Sequence, residues 1–172
     1  MGSEETRWTA RILAGGLLVL LLAATSPAAG QEAVIVVRHA EKLDDSDDPP
    51  LSADGYRRAA RLAGLLDDAG IDAIYGTERQ RTIQTAQPLA DRLGLEIGVV
   101  PRAGTDDLER RLRTQHADDV VLVVGHSDTV PGILSALGVR ESVTIADADY
   151  DNVFVVIPRG PAAPTLLRLK VP

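Results

Sequence analysis

Two uninterrupted aliphatic runs constrain this chain more than any other feature: Ala33-Val34-Ile35-Val36-Val37 and Val120-Val121-Leu122-Val123-Val124. A run without polar alternation suits a strand buried on both faces. Such strands sit inside sheets that helices cover on either side. Each run leads straight into a histidine segment, Arg38-His39 after the first and Gly125-His126-Ser127 after the second. In open α/β sheets, ligands bind beyond the carboxyl ends of the strands. Both histidines therefore stand where chemistry is expected.

The remaining pattern alternates strand with helix. Ser52 is placed to cap a helix whose residues Tyr56, Ala59, Ala60, Ala63 and Leu66 recur at helical spacing up to Gly70. Ala73-Ile74-Tyr75 reads as a short strand. Thr82 to Leu93 reads as a helix closing at Gly94, which Pro88 is expected to kink or split in two. A strand over Leu95 to Val100 and a helix over Leu108 to His116 follow. Beyond the second run, a helix over Val130 to Leu137 tolerates Pro131 in its first turn. Val153 to Ile157 and Leu166 to Val171 pair across the Gly160-Pro161 turn. The expected fold class is α/β, a three-layer α/β/α sandwich with a mostly parallel central sheet.

Residues 1–30 read as an export signal. Arg7 and Arg11 precede the apolar run from Ile12 to Ala24, and Ser26-Pro27-Ala28-Ala29-Gly30 supplies small residues. That run is shorter than the ~20 residues of an unassisted membrane span. Cleavage is expected after Gly30, with Ala28 as the alternative site and a retained membrane anchor as the alternative fate. The domain proper is 31–172, and the expected localisation is exported, periplasmic or extracellular.

Composition closes off several chemistries. The chain has no cysteine, which excludes a disulfide scaffold, a thiolate metal site and a thiol nucleophile. Its net charge is −7, and its aromatic residues are only Trp8, Tyr56, Tyr75, Tyr150 and Phe154. Neither feature suits a nucleic-acid binder. No P-loop or dinucleotide fingerprint is present, and HExxH is missing, so neither a nucleotide cofactor nor a metal is expected. The acidic run Asp44-Asp45-Ser46-Asp47-Asp48 lacks the calcium-loop spacing. It reads either as a solvated connector or as a negative rim beside His39.

Against this acidic background a third strand end carries Glu78-Arg79-Gln80-Arg81-Thr82. Two imidazoles and two or three guanidinium groups on one sheet edge form a cationic pocket suited to a phosphoryl group. Arginine forks match phosphate oxygens, and neutral imidazole attacks phosphorus. His116 reads as a surface residue near a helix C-terminus.

Four segments carry a family resemblance. Val36-Val37-Arg38-His39-Ala40-Glu41-Lys42 resembles the Arg-His-Gly signature of the histidine phosphatase (phosphoglycerate mutase-like) superfamily, with Ala40 in place of glycine. Leu51-Ser52-Ala53-Asp54-Gly55 resembles its Leu-Thr-x-x-Gly helix start. Arg81-Thr82-Ile83-Gln84-Thr85-Ala86 resembles its Arg-Ala-x-x-Thr-Ala segment, and Val124-Gly125-His126-Ser127 its second histidine motif. The resemblance implies a phosphoglycerate mutase-like fold and a small, uncapped phosphomonoesterase. It makes His39 the nucleophile, with Arg38, Arg81 and His126 completing the phosphate pocket, and it needs no metal. The family places its general acid after the third strand or just beyond the second histidine. Asp106, Asp107, Glu109 and Asp128 all compete for that role here. Expected partners are phosphorylated small molecules or glycans. Two other readings stay open: a non-catalytic binder of phosphorylated envelope glycans, and a metal-dependent hydrolase built from His39, His126 and the acidic loop.

Overall fold

The computed structural model describes residues 32–171. The expected export segment and the cleavage sites within it lie outside the described residues. The element order is β1 (Ala33–Arg38), α1 (Ala53–Leu66), β2 (Ile71–Gly76), α2 (Gln80–Leu93), β3 (Ile97–Val99), α3 (Thr105–Gln115), β4 (Val120–Gly125), α4 (Val130–Ala136), β5 (Asn152–Arg159) and β6 (Ala162–Lys170). The six strands form one sheet in the order β3-β2-β4-β1-β5-β6. The first four in that order run parallel, and β5 and β6 are antiparallel.

The two aliphatic runs lie side by side at the centre of the sheet. Val34 and Val36 of β1 and Val121 and Val123 of β4 pack with Leu108 and Leu112 of α3 and Ile133 and Leu134 of α4. Ile35, Val37, Leu122 and Val124 point the other way, onto Leu62, Ala63 and Leu66 of α1 and Ala86, Leu89 and Ala90 of α2. Alternate side chains of a strand face opposite sides, so strands buried on both faces must be aliphatic throughout. This gives the three layers that the alternation implied.

Local signals set the helix ends. Ser52 accepts a hydrogen bond from the Gly55 amide and caps α1. Gly94 ends α2 at φ +67°, a left-handed conformation that glycine adopts without penalty. Pro88 does not split α2, which runs unbroken from Gln80 to Leu93. Packing wins over the local defect here, because Ala86, Leu89 and Ala90 flank the proline and are almost fully buried. β3 is shorter than the expected 95–100 span, since this edge strand meets β2 only at Ile97, Gly98 and Val99. His116 is not a plain surface residue. It sits half-buried at the end of α3, 2.8 Å from the Tyr75 hydroxyl and 2.8 Å from an Asp119 carboxylate oxygen.

Candidate active site

The register of β1 against β4 builds the site. Arg38 pairs with Gly125, so the next residue on each strand is a histidine at the same level of the sheet. The His39 amide donates to the Gly125 carbonyl at 2.9 Å. The two rings meet edge to face, with centroids 5.2 Å apart. β2 lies on the other side of β4 and delivers Thr77, and the start of α2 then delivers Arg81.

The segment after His39 is held firmly. Ser52 donates its amide to the Glu41 carbonyl, and a Cβ on Gly55 would fall 2.2 Å from that same oxygen. Only glycine permits so close an approach. Arg58 grips the Glu41 carboxylate through both Nε and Nη2. The acidic loop beyond is closed by a bridge between Lys42 and Leu51. Its far end is tied to α2: Asp48 accepts from the Gln80 amide at 3.0 Å, and Asp47 pairs with Arg79 at 2.9 Å.

These contacts enclose a cavity of about 310 Å³ whose lining includes Arg38, His39, Arg81, Arg102, His126 and Tyr150. A larger groove of about 890 Å³ opens between α4 and the β5–β6 hairpin, but it has no histidine in its walls. Chemistry follows the side chains here, and volume does not locate it.

Each side chain in the smaller cavity has a defined state. His39 Nδ1 lies 2.7 Å from the Ala40 carbonyl, an oxygen that only accepts, so Nδ1 carries the proton and Nε2 is left with its lone pair. Burial drives the His39 pKa down to about 3; the Ala40 bond opposes this, and the charges of His126, Arg81 and Arg38 add to it. Burial likewise takes His126 down to about 4, helped by Arg81 and Arg102. Both rings are neutral at ordinary pH, and desolvation outweighs the arginines as the cause.

Arg38 turns Nη1 onto the carbonyls of Ala146, Asp147 and Asp149 and stacks over the Tyr150 ring at 4.1 Å. Its Nε is buried without a hydrogen-bond partner in the protein. The same holds for Arg81 Nε and Nη1 and for His126 Nδ1. Among the described residues only one further buried side-chain nitrogen shares this condition, Arg79 Nε. Asp48 stands 3.8 Å from Arg81 Nη1, close enough for charge but not for a hydrogen bond.

Of the four competing carboxyls, only Asp128 lines the cavity. Asp107 is bound by Arg110 and Arg111, Glu109 faces Arg113, and Asp106 is exposed on the first turn of α3. Asp128 pairs with Arg102. Burial alone would raise the Asp128 pKa, but the Arg102 bond and charge outweigh it and hold the carboxyl below its ordinary range. Arg102, Tyr150 and Thr77 were not singled out from the sequence. Arg102 follows β3 closely, at the place where the family resemblance led one to look for an acid.

The family profile described as histidine phosphatase superfamily (branch 1) matches residues 34–104. Among solved structures, the protein histidine phosphatase SixA complexed with tungstate aligns at 21% identity and TM-score 0.67, covering 80% of this chain and 96% of that one. Profile and fold together support the histidine phosphatase superfamily for this chain. The mycobacterial glucosyl-3-phosphoglycerate phosphatase aligns at 14% identity and TM-score 0.59, over 81% of this chain and 97% of that one. A phosphoserine phosphatase from Entamoeba histolytica, in complex with 3-phosphoglyceric acid, aligns at 15% and 0.59, over 78% and 94%. At these identities the likeness is one of fold. No curated protein matches the sequence. The profile match includes Arg38, His39 and Arg81, whereas His126 lies beyond it and enters the site through the β1–β4 register.

Proposed function

We propose that this chain is an exported phosphatase that hydrolyses phosphomonoesters through a phosphohistidine on His39. One observation carries the reading: Arg38 Nε, Arg81 Nε and Nη1 and His126 Nδ1 are buried without partners, and these residues line one cavity with His39, whose Nε2 is left bare. Buried polar groups need partners, and guanidinium donors are satisfied best by a charged oxyanion. A phosphoryl group presents both the oxygens and an electrophilic centre.

In the first step His39 Nε2 forms the N–P bond while the ester P–O bond breaks. Arg38 and Arg81 stabilise charge on the phosphoryl oxygens. In the second step water attacks the phosphohistidine, the N–P bond breaks, and inorganic phosphate leaves. An ionised Asp128 suits removal of the water proton in this second step. It is a poor donor to the leaving oxygen in the first, because Arg102 keeps it deprotonated. Substrates with good leaving groups are therefore favoured. Support for phosphoryl chemistry also comes from the neighbours' own names, which are those of phosphatases. The export reading rests on residues 1–30 alone.

The test is a phosphate-release screen of the purified protein against aryl phosphates, sugar phosphates and phosphoproteins, with and without chelator. Release that survives chelation supports the mechanism. Phosphate binding without turnover would favour the glycan-binding alternative, and chelator-sensitive release the metal-dependent one.

A further inference from the structure

We infer that Thr77 is a positioning residue that sets the tautomer of His126: its hydroxyl donates to Nε2 and so keeps the ring proton on Nδ1, facing the phosphoryl oxygens. The inference rests on the phosphatase reading, which supplies the oxyanion at Nδ1, whereas the Thr77–His126 contact stands without it.

Thr77 is the first residue past β2, and it is buried. Its Oγ1 lies 3.0 Å from His126 Nε2, and His126 is only 2% exposed. Counting protons narrows the direction of that bond to two possibilities. Thr82 Oγ1 lies 2.9 Å from the Arg79 carbonyl and 3.1 Å from the Thr77 carbonyl, and both oxygens can only accept. The single Thr82 proton therefore goes to a carbonyl. Thr82 Oγ1 in turn accepts the Thr77 amide at 3.0 Å. Thr77 Oγ1 accepts the Arg79 amide at 3.3 Å, which can only donate. The Thr77 hydroxyl proton has two places to go, Thr82 Oγ1 at 3.1 Å or His126 Nε2.

The other end of the ring separates these two. His126 Nδ1 is buried with no partner in the protein, and His126 lines the same cavity as Arg38, Arg81 and Arg102. If Nε2 held the proton, Nδ1 would turn a bare lone pair toward phosphoryl oxygen, and the two would repel. With the proton on Nδ1 the ring donates to that oxygen, and Nε2 accepts from Thr77. A histidine's working nitrogen is set by the bond its other nitrogen makes. A carbonyl in place of Thr77 Oγ1 would force the opposite tautomer, and an aliphatic side chain would leave it unset.

The test uses the full chain with ¹⁵N-labelled histidine, the His126 signals being identified by their loss in His126→Gln. The wild type is expected to show His126 as the Nδ1–H tautomer, with Nε2 unprotonated. Thr77→Val should produce a mixture of tautomers and lower kcat/KM for an aryl phosphate by about tenfold or more, the scale of one buried hydrogen bond. Thr77→Ser should restore the tautomer and bring kcat/KM back to within about threefold of wild type, since it keeps the hydroxyl. A wild-type His126 protonated on Nε2 overturns the inference without any variant. So does Thr77→Val with an intact Nδ1–H tautomer and unchanged kcat/KM. If the wild type releases no phosphate from any ester, the functional reading fails, while the tautomer comparison still decides the role of Thr77.

Discussion

His39 and His126 face each other with ring centroids 5.2 Å apart and planes inclined at 64°. The pairing follows from one register, Arg38 beside Gly125, which brings two sequence-distant strand ends to the same edge. The two rings are nevertheless prepared differently. His39 is fixed by a backbone carbonyl on Nδ1, leaving Nε2 as an electron-pair donor, whereas His126 is held at Nε2 by a side chain. His39→Ala should therefore abolish both phosphate release and covalent labelling by a phosphorylated substrate. His126→Ala should keep the label and lose turnover by roughly 10²–10³-fold, the usual effect of removing one transition-state donor. Single-turnover labelling separates the two. Near-normal activity in His39→Ala would end the phosphohistidine mechanism.

Burial lowers the pKa of His39 to about 3 and of His126 to about 4, and this has a measurable sign. Activity that needs neutral rings should persist as pH falls from 8 to 5, and be lost only as it passes through the values near 4 and 3. Stability should move earlier. The unfolded chain binds these protons below the ordinary histidine pKa of about 6.5, and the fold does not, so stability rises with pH across that window. Each ring should cost roughly 2 kcal/mol between pH 7 and pH 5. Urea titrations at the two pH values check this, and the His39→Gln/His126→Gln double variant should flatten the difference.

The ion pair of Glu41 with Arg58 anchors the segment that follows the nucleophile. Both side chains are about one-fifth exposed, and Arg58 binds both carboxylate oxygens. Burial would raise the Glu41 pKa, but the hydrogen bonds from Arg58 reverse that and lower it. The pair therefore stabilises the fold above the ordinary carboxylate range, and the contribution is lost as pH falls through the lowered folded value. Arg58→Ala should cost roughly 1–3 kcal/mol at neutral pH, because Glu41 is left without its charged donor. The urea midpoint should drop while the slope stays the same.

Asp128 and Arg102 make a different kind of prediction. With Arg102 holding Asp128 ionised, Asp128→Asn should slow the second step more than the first. Phosphoenzyme should accumulate with an aryl phosphate, and steady-state turnover should fall by roughly 10²-fold, as for loss of a positioned base. Absence of accumulation, with turnover unchanged, would remove Asp128 from the mechanism.

What the sequence revealed, and what it hid, has a physical reason in each case. The central strands were legible because burial on both faces demands unbroken aliphatic runs, and the histidines were legible because they follow those runs directly. Arg81 was found through a motif on its own helix. Arg102, Tyr150 and Thr77 were not: the first two reach the cavity, and Thr77 reaches His126, from loops whose course is set by packing far away in sequence. Arg38 shows the same limit: its Nη1 is held by carbonyls more than a hundred residues on, at Ala146 and Asp147. Pro88 shows the reverse limit: the split it could have made is absent, and α2 runs through it with its neighbours buried.

The acidic loop is more than a solvated connector, because Asp45 and Asp47 line the cavity mouth and Asp48 caps the start of α2. The mouth is mixed in sign: Lys42 pairs with Asp45, Arg79 with Asp47, and Arg102 with Asp128. Exposed pairs of this kind contribute little to stability, so Asp45 and Asp47 can be neutralised without unfolding the loop. Asp48 should be kept, since removing it uncaps a helix that carries Arg81. Converting Asp45 and Asp47 to Asn removes two negative charges from the mouth, frees Lys42 from Asp45 and leaves Arg79 with Glu78 alone. The summed field over a cleft steers charged ligands, so kcat/KM for a substrate bearing a second anionic group should rise about tenfold at low salt, the lower end of electrostatic steering. The gain should shrink as ionic strength approaches the physiological range, where screening acts within about 8 Å. A substrate whose only charge is the phosphoryl group should gain less, so the ratio of the two rates across a salt series is the measurement. A ratio that does not change with salt would mean that the loop shapes the mouth without steering what enters it.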